Sequence, residues 1–176
     1  MTGEPLPPSA PDLHALLGPL VRHGVDFVVI GGQAGTAQGS SYPSYDLDVA
    51  YARGKDNLVR LVAALREIGV TLRGAPADLP FQLDERTLAN GANFTFITEH
   101  GDFDVRADVA GIRSYDGLGS EAEVKEISGY EVRIASIDHL IAMKRASNRT
   151  KDKLMLEEYI VIADEQRRLA QEGQSS

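Results

Sequence analysis

A four-residue apolar run, Phe27-Val28-Val29-Ile30, stops at Gly31-Gly32, and after thirteen intervening residues the chain reads Asp46-Leu47-Asp48-Val49. A short apolar run closed by glycine fits a strand buried on both faces, whereas alternation fits a strand with one polar face. Alternate side chains of a strand share a face, so Asp46 and Asp48 point one way while Leu47 and Val49 enter the core. The spacing returns downstream, where Asp102, Asp104 and Arg106 take one face and Phe103, Val105 and Ala107 the other. Two strands would each present a carboxylate pair at one sheet surface. Few folds accommodate that.

The rest of the chain supplies helices around such a sheet. Leu13, Leu16, Leu17 and Leu20 form one face of a helix over 12–23, with Gly24 at its end. Gln33 to Gln38 reads as a brief helix, and 46–51 as the strand already described. Leu58, Leu61, Val62, Leu65 and Ile68 mark a helix over 56–68 that Gly69 stops. Further strands are predicted over 94–98 and 103–109, joined by a turn at His100-Gly101, and over 130–134. Ser136 caps a helix reaching Ser147, and a last helix covers 151–170. Residues 70–92 follow no clear period. The mixture, without strict β-α-β regularity, predicts an α/β or α+β fold with a mixed sheet flanked by helices. A chain of 176 residues suits one domain. It is placed at 12–170, between a Pro-rich tail at 1–11 and a Gln/Ser-rich tail at 171–176.

Composition removes several functions. Eighteen basic against 26 acidic residues give a net charge of −8 and a pI near 5.0, unsuited to coating nucleic acid through uniform positive charge. A local basic patch stays open. The absence of cysteine eliminates disulfides, thiolate zinc sites and cysteine nucleophiles. No apolar run exceeds five residues, so no helix crosses a membrane. The first residues lack the positive start and apolar stretch of a signal peptide, which predicts a cytoplasmic protein. The N-x-T triplets at Asn93 and Asn148 then carry no glycosylation meaning. His14, His23, His100 and His139 share no ligand spacing, and no G-x-S-x-G elbow exists.

What remains is acidic, glycine-rich and locally basic. Clustered carboxylates repel unless a cation joins them, and Mg²⁺ prefers all-oxygen ligation and often accompanies a phosphate-bearing substrate. Gly31-Gly32 permits close backbone approach to a phosphate, although the G-x-G-x-x-G fingerprint and the Walker loop are both absent. Between Lys144 and Lys153 stand five basic residues (Lys144, Arg145, Arg149, Lys151, Lys153) and one acidic, Asp152. Lys144 continues the apolar stripe of Ile137, Leu140 and Ile141. It either snorkels to water or reaches an anion in a pocket.

In this order, the motifs resemble the nucleotidyltransferase fold of the DNA polymerase β-like superfamily. More narrowly the chain looks like the AbiEii/MenT-type nucleotidyltransferase toxins. Val28 to Ala34, Gly39-Ser40 through Asp46-Leu47-Asp48-Val49, Gly101 to Val105, and Asp138 to Ala146 with Arg149-Thr150-Lys151-Asp152 carry the likeness. It spans Gly24 to Glu158. The resemblance implies a C-terminal helical pair and Mg²⁺-dependent transfer of an NMP from an NTP to a hydroxyl, releasing pyrophosphate. It implies that Asp46, Asp48 and Asp104 hold two metal ions and that Lys144 is catalytic. Gly31, Gly32, Ser44, Arg149, Lys151 and Asp152 would bind nucleotide. Periodicity alone does not separate Asp104 from Asp102; the family pattern selects Asp104. Three positions depart from that pattern: Tyr42 and Ser44 stand where a basic residue and a threonine are usual, and Met155 where an aspartate is frequent. The acceptor implied is the 3′ end of tRNA, modified by a toxin paired with an antitoxin. A tRNA patch would comprise Lys144 to Lys153 with Arg106, Arg113 and Arg133. Alternatives are transfer to a small molecule, as in antibiotic-inactivating relatives, transfer to a protein, and a non-catalytic nucleotide-binding module.

Overall fold

The computed structural model describes residues 8–76, 78, 81–147 and 149–175, without the side chain of Lys151. Residues 1–7 of the predicted N-terminal tail, and Asn148, lie outside the described residues. Along the chain run α1 (Leu13–Arg22), β1 (Phe27–Ile30), α2 (Gly31–Ala37), β2 (Asp46–Tyr51), α3 (Lys55–Ile68), β3 (Thr71–Leu72) and α4 (Glu85–Asn90). They are followed by β4 (Asn93–Thr98), β5 (Gly101–Arg106), α5 (Tyr115–Ser120), β6 (Glu123–Ile127), β7 (Tyr130–Ile134), α6 (Ile137–Ser147) and α7 (Thr150–Gln174).

The strands form a mixed sheet in the order β3-β4-β5-β2-β1-β7-β6. The apolar β1 lies inside it, antiparallel to β2 and parallel to β7, and all four of its residues are buried. The alternating β2 lies beside it and pairs in parallel with β5, so that Asp46 faces Asp102 and Asp48 faces Asp104. This register makes two distant segments one carboxylate surface. On the other face of β2, Leu47, Val49 and Tyr51 are fully buried. The Tyr51 hydroxyl donates to the Leu88 carbonyl of α4 at 3.3 Å, α4 packs on α3, and α3 on α1. One layer of helices therefore closes the apolar face. The α6–α7 pair packs on α2, over the carboxylate face.

Strongly periodic elements match expectation closely. Asp12 caps α1 by accepting from the Ala15 amide at 3.1 Å, and the five apolar residues predicted for the stripe of α3 are all buried. Gly69 ends α3 in the left-handed region, φ 78°. Differences fall where burial is slight. The unassigned stretch 70–92 contributes β3 and α4, and within α4 only Leu88 is buried, too little to print a stripe. Asp84 starts that helix by accepting from the Thr87 amide at 2.8 Å. The sequence reading also missed α5, which carries two glycines, and β6, whose Glu-Val-Lys-Glu-Ile sequence suits an exposed edge. β5 spans 101–106 rather than 103–109, and α7 continues to Gln174 into a segment expected to fray.

The link between β1, β2 and α3 is polar. Buried Asn57 accepts from the Asp26 amide at 2.7 Å and donates to the carbonyls of Asp26 at 3.0 Å and Ala52 at 2.8 Å. It thereby fixes the start of β1 against the end of β2, at the end of the pair away from the carboxylates. Replacing it by leucine takes the partner from the Asp26 amide and the Ala52 carbonyl, while the Asp26 carbonyl keeps the Ala52 amide at 3.3 Å, and each unsatisfied buried group costs about 1–3 kcal/mol. Asn57→Leu is therefore expected to lower unfolding free energy by about 2 kcal/mol or more in urea denaturation.

Candidate active site

Close approach begins at the glycines. Gly31 adopts φ +69°, and a Cβ there would lie 2.6 Å from Oδ2 of Asp48. At Gly32 a Cβ would meet the Ser44 Oγ at 2.6 Å. Any side chain at either position would displace a residue of the carboxylate surface, so this pair is more than a turn. Gln33, one residue on, donates to the carbonyls of Ser44 at 3.4 Å and Asp46 at 3.2 Å, holding the loop that leads into β2. Ser44 Oγ donates to the Asp46 carbonyl at 3.2 Å. Farther back, the Ser41 amide and hydroxyl both bond Glu158 of α7, the hydroxyl at 2.5 Å. The loop is thus tied at both ends.

Asp46, Asp48 and Asp104 each offer a carboxylate oxygen within 4.8 Å of the others. Asp102 is not in that group. It turns outward and pairs with Arg73 at 3.0 Å, while Asp104 is buried and its Oδ1 has no hydrogen-bond partner. A buried anionic oxygen without a hydrogen bond is costly, and three carboxylates converging there have the chemistry of a divalent-cation site. Burial, reinforced by the neighbouring charges of Asp46 and Asp104, raises the Asp48 pKa from 3.8 to about 7, with Arg106 opposing. Burial also pushes Asp104 upward, and Arg106 again opposes. The Arg106 guanidinium lies between them, Nε at 3.3 Å from Asp48 and Nη2 at 3.4 Å from Asp104.

These groups sit in a cavity of about 810 Å³ whose far wall is the α6–α7 pair, including Leu140, Lys144, Arg149, Asp152, Met155 and Tyr159. Lys144, expected to reach an anion in a pocket or to snorkel, does line the cavity, but its Nζ bonds Asp152 at 2.9 Å. Asp152 is buried and also accepts from the Ser147 hydroxyl at 2.5 Å. These bonds hold its carboxyl below the ordinary range, although burial acts the other way. Arg149 is largely exposed, its Nε 4.0 Å from Asp152. The Lys151 side chain lies outside what the structure describes. Of the predicted site residues, Gly31, Gly32, Ser44, Asp46, Asp48, Asp104, Lys144, Arg149 and Asp152 line one cavity.

Sequence reasoning passed over three contributors. Arg73 belongs to the stretch without a period and left no signal. Arg106 stood on the carboxylate face in the alternation and was placed instead in a nucleic-acid patch. Buried Tyr159 packs on Gly35, where a Cβ would collide with its ring. It lies on the inner stripe of α7 and reads as ordinary core.

No family model matches the chain, and no curated protein matches it in sequence. Solved structures do match in three dimensions. Lincosamide antibiotic adenylyltransferase LnuA, bound to lincomycin, aligns over 85% of this chain and 95% of its own, at 12% identity and a TM-score of 0.57. ANT(2'')-Ia in complex with adenylyl-2''-tobramycin aligns over 90% and 96%, at 16% identity and a TM-score of 0.53. A Thermotoga maritima protein assigned as a nucleotidyltransferase aligns over 84% and 89%, at 14% identity and a TM-score of 0.51. This chain has the nucleotidyltransferase fold.

The raised Asp48 pKa has a directional consequence. A carboxyl that holds its proton more tightly folded than unfolded makes the native state bind more protons between about pH 4 and 7. Stability of the metal-free protein therefore falls as pH rises through that window and levels off above it. Its melting temperature is expected to be lower at pH 8 than at pH 5. Asp46→Asn, which removes a repelling charge, should narrow the difference in thermal scans.

Proposed function

We propose that the protein transfers an NMP from an NTP to a hydroxyl acceptor with release of pyrophosphate. The observation carrying this reading is the convergence of Asp46, Asp48 and Asp104 beside Gly31-Gly32 in one cavity. Asp46, Asp48 and Asp104 would hold Mg²⁺, and the unpartnered Oδ1 of Asp104 is the atom that best fits a metal ligand. Bound there, divalent ions lower the pKa of an acceptor hydroxyl and balance charge on the transferring phosphate. The chain's own groups supply position. Gly31 and Gly32 let the triphosphate approach the backbone, and Ser44 shapes the same corner. Arg149 extends positive charge to the mouth of the cavity. Lys144 and Asp152 act as a pair: Asp152 holds the ammonium against the wall, where it can face pyrophosphate as it leaves. The convergence also weighs against a non-catalytic nucleotide-binding module, which has no need of three carboxylates within 4.8 Å of one another.

A small hydroxyl-bearing acceptor fits best. Three of the eight basic residues that the sequence offered for tRNA are engaged: Arg106 by Asp48 and Asp104, Lys144 by Asp152, and Arg133 by Asp26. LnuA and ANT(2'')-Ia, with lincomycin and a tobramycin adduct, offer the chemical precedent for such an acceptor. A second reading, modification of the tRNA 3′ end by an AbiEii/MenT-type toxin held by an antitoxin, rests on Arg145, Arg149 and Lys153, which stay exposed.

The test supplies each α-³²P-labelled NTP with Mg²⁺ and, separately, hydroxyl-bearing small molecules including aminoglycosides and lincosamides, total tRNA, and protein extract. Label is expected on a small molecule, lost with EDTA and reduced about a thousandfold or more in Asp48→Ala, on the scale of losing a principal electrostatic group. Label on tRNA alone would replace the first reading by the second. Absence of label on every acceptor with every NTP would refute nucleotidyl transfer.

A further inference from the structure

The carboxylate face extends past the cavity onto the outer strands of the sheet. Asn93 stands opposite Arg106, Thr95 opposite Asp104, Ile97 opposite Asp102, and Thr71 opposite Ile97. Directly opposed residues share a face, so the surface that carries Asp102 and Asp104 continues over β4 and β3. This outer part is open. Thr71 and Asn93 are exposed and Ile97 is 43% exposed, whereas Phe96, on the other face of β4, is buried. Hydroxyl, amide and aliphatic groups make up most of the shelf. Outward of Asp104 its charges are one pair, Asp102 and Arg73, 3.0 Å apart with 48% and 41% of their side chains exposed. Arg73 also stands 3.9 Å from Asp104, at the Oδ1 that has no hydrogen-bond partner. Glu99 and Asp108 are exposed just outside the two ends of β5.

We infer that this shelf receives the acceptor and that Arg73, by neutralising Asp102, makes it select uncharged hydroxyl compounds over polycationic ones. The inference rests on the nucleotidyl-transfer reading of the same site. In that reading the glycine pair, Lys144 and Arg149 serve the nucleotide on the α6–α7 side, so an acceptor hydroxyl reaches the triad from the open side. A polyamine arriving there meets a guanidinium, and a polyanion meets Asp102. An uncharged hydroxyl compound is repelled by neither. It finds Asn93 and Thr95 as hydrogen-bonding groups and Ile97 for an apolar edge. Without Arg73, Asp102 would be an unpaired carboxylate on the approach to Asp104, and ammonium groups would be drawn to it. Specificity is a difference of affinities, and a repulsive group contributes to it as much as an attractive one. Arg73 is that group here.

Two probes of one skeleton test this: tobramycin, and tobramycin with every amine acetylated and its hydroxyls kept. Each is titrated calorimetrically into the full chain in Mg²⁺ at low ionic strength. The proteins are wild type, Arg73→Gln, the double variant Arg73→Gln/Asp102→Asn, and Arg22→Gln. The last removes an equal charge from an exposed pair with Glu67 on α1 and α3, 2.7 Å apart. Exposed pairs add little stability, so these variants are expected to fold. Arg73→Gln should bind tobramycin about tenfold more tightly than wild type, the scale of one unpaired charge at short range near a protein surface. The double variant and Arg22→Gln should stay at the wild-type value, and the acetylated probe should not respond to any substitution. No gain in Arg73→Gln, an equal gain in Arg22→Gln, or a gain kept in the double variant would overturn the role of Arg73. Transfer of label from the NTPs separates this from the reading beneath it. Wild type is expected to label uncharged acceptors, and Arg73→Gln to raise the relative kcat/KM of amine-bearing ones about tenfold. Preferential labelling of an amine-bearing acceptor by wild type would overturn the selectivity and leave nucleotidyl transfer standing. Absence of label on every acceptor with every NTP would overturn nucleotidyl transfer, and the inference with it.

Discussion

Mutual repulsion among Asp46, Asp48 and Asp104 is the constraint around which the rest of the structure is arranged. Three carboxylates within 4.8 Å, one of them buried, do not stay together without support. The support is partly covalent and partly electrostatic. Asp46 and Asp48 are locked by β2, Asp104 by β5, and the parallel ladder between those strands prevents the groups from separating. Arg106 supplies positive charge from the same strand as Asp104. Burial first, and the repulsion that remains second, appear in the raised pKa values of Asp48 and Asp104. This is energy a divalent cation would recover on binding.

The remaining polar contacts keep the site's walls in register with this cluster. Gln33 and Ser44 hold the loop entering β2, and Glu158 ties the start of that loop to α7. Gln38, buried, donates to the Ala135 carbonyl at 3.0 Å and accepts from Gln166 at 2.9 Å, joining α2, the start of α6 and α7. Lys144, Ser147 and Asp152 lock α6 to α7. Apart from the exposed Ser41–Glu158 bonds, each of these is a side chain satisfying a group with little access to water, so each fixes one geometry as well as contributing stability. Tyr159 is an exception. It fills the space over Gly35 with its hydroxyl unpartnered, and burial raises its pKa to about 12. A neutral phenol there is packing material.

The fold was legible wherever burial was one-sided and regular. Leu58 to Ile68, Leu13 to Leu20 and the two alternating strands each print their environment into the sequence, because a face that enters the core must be apolar throughout. β6 and α4 did not, since an exposed edge strand and a helix with one buried leucine impose almost no pattern. Arg73 was lost with them. Arg106 shows a different limit. The alternation put it on the carboxylate face, but a long basic side chain beside aspartates reads equally well as a nucleic-acid contact. Only its position between Asp48 and Asp104 separates the two. For Lys144 the apolar stripe indicated a pocket and left its partner undetermined.

The sequence by itself determined that Asp46 and Asp48 share a face, that Asp104 has that opportunity on another strand, and that Gly31-Gly32 ends a buried strand. These are consequences of a two-residue strand period and of glycine's freedom from a Cβ, both local properties. The tertiary structure decided which downstream aspartate joins the pair. The β2–β5 register sets Asp104 opposite Asp48, and the outward turn of Asp102 toward Arg73 takes that carboxylate away. It also decided that Lys144 meets Asp152 and that Arg106 meets two carboxylates. Such pairings depend on the relative placement of segments more than fifty residues apart in the case of β2 and β5. Strand pairing and helix packing fix that placement, and the core burial that drives them is indifferent to which charges it brings together.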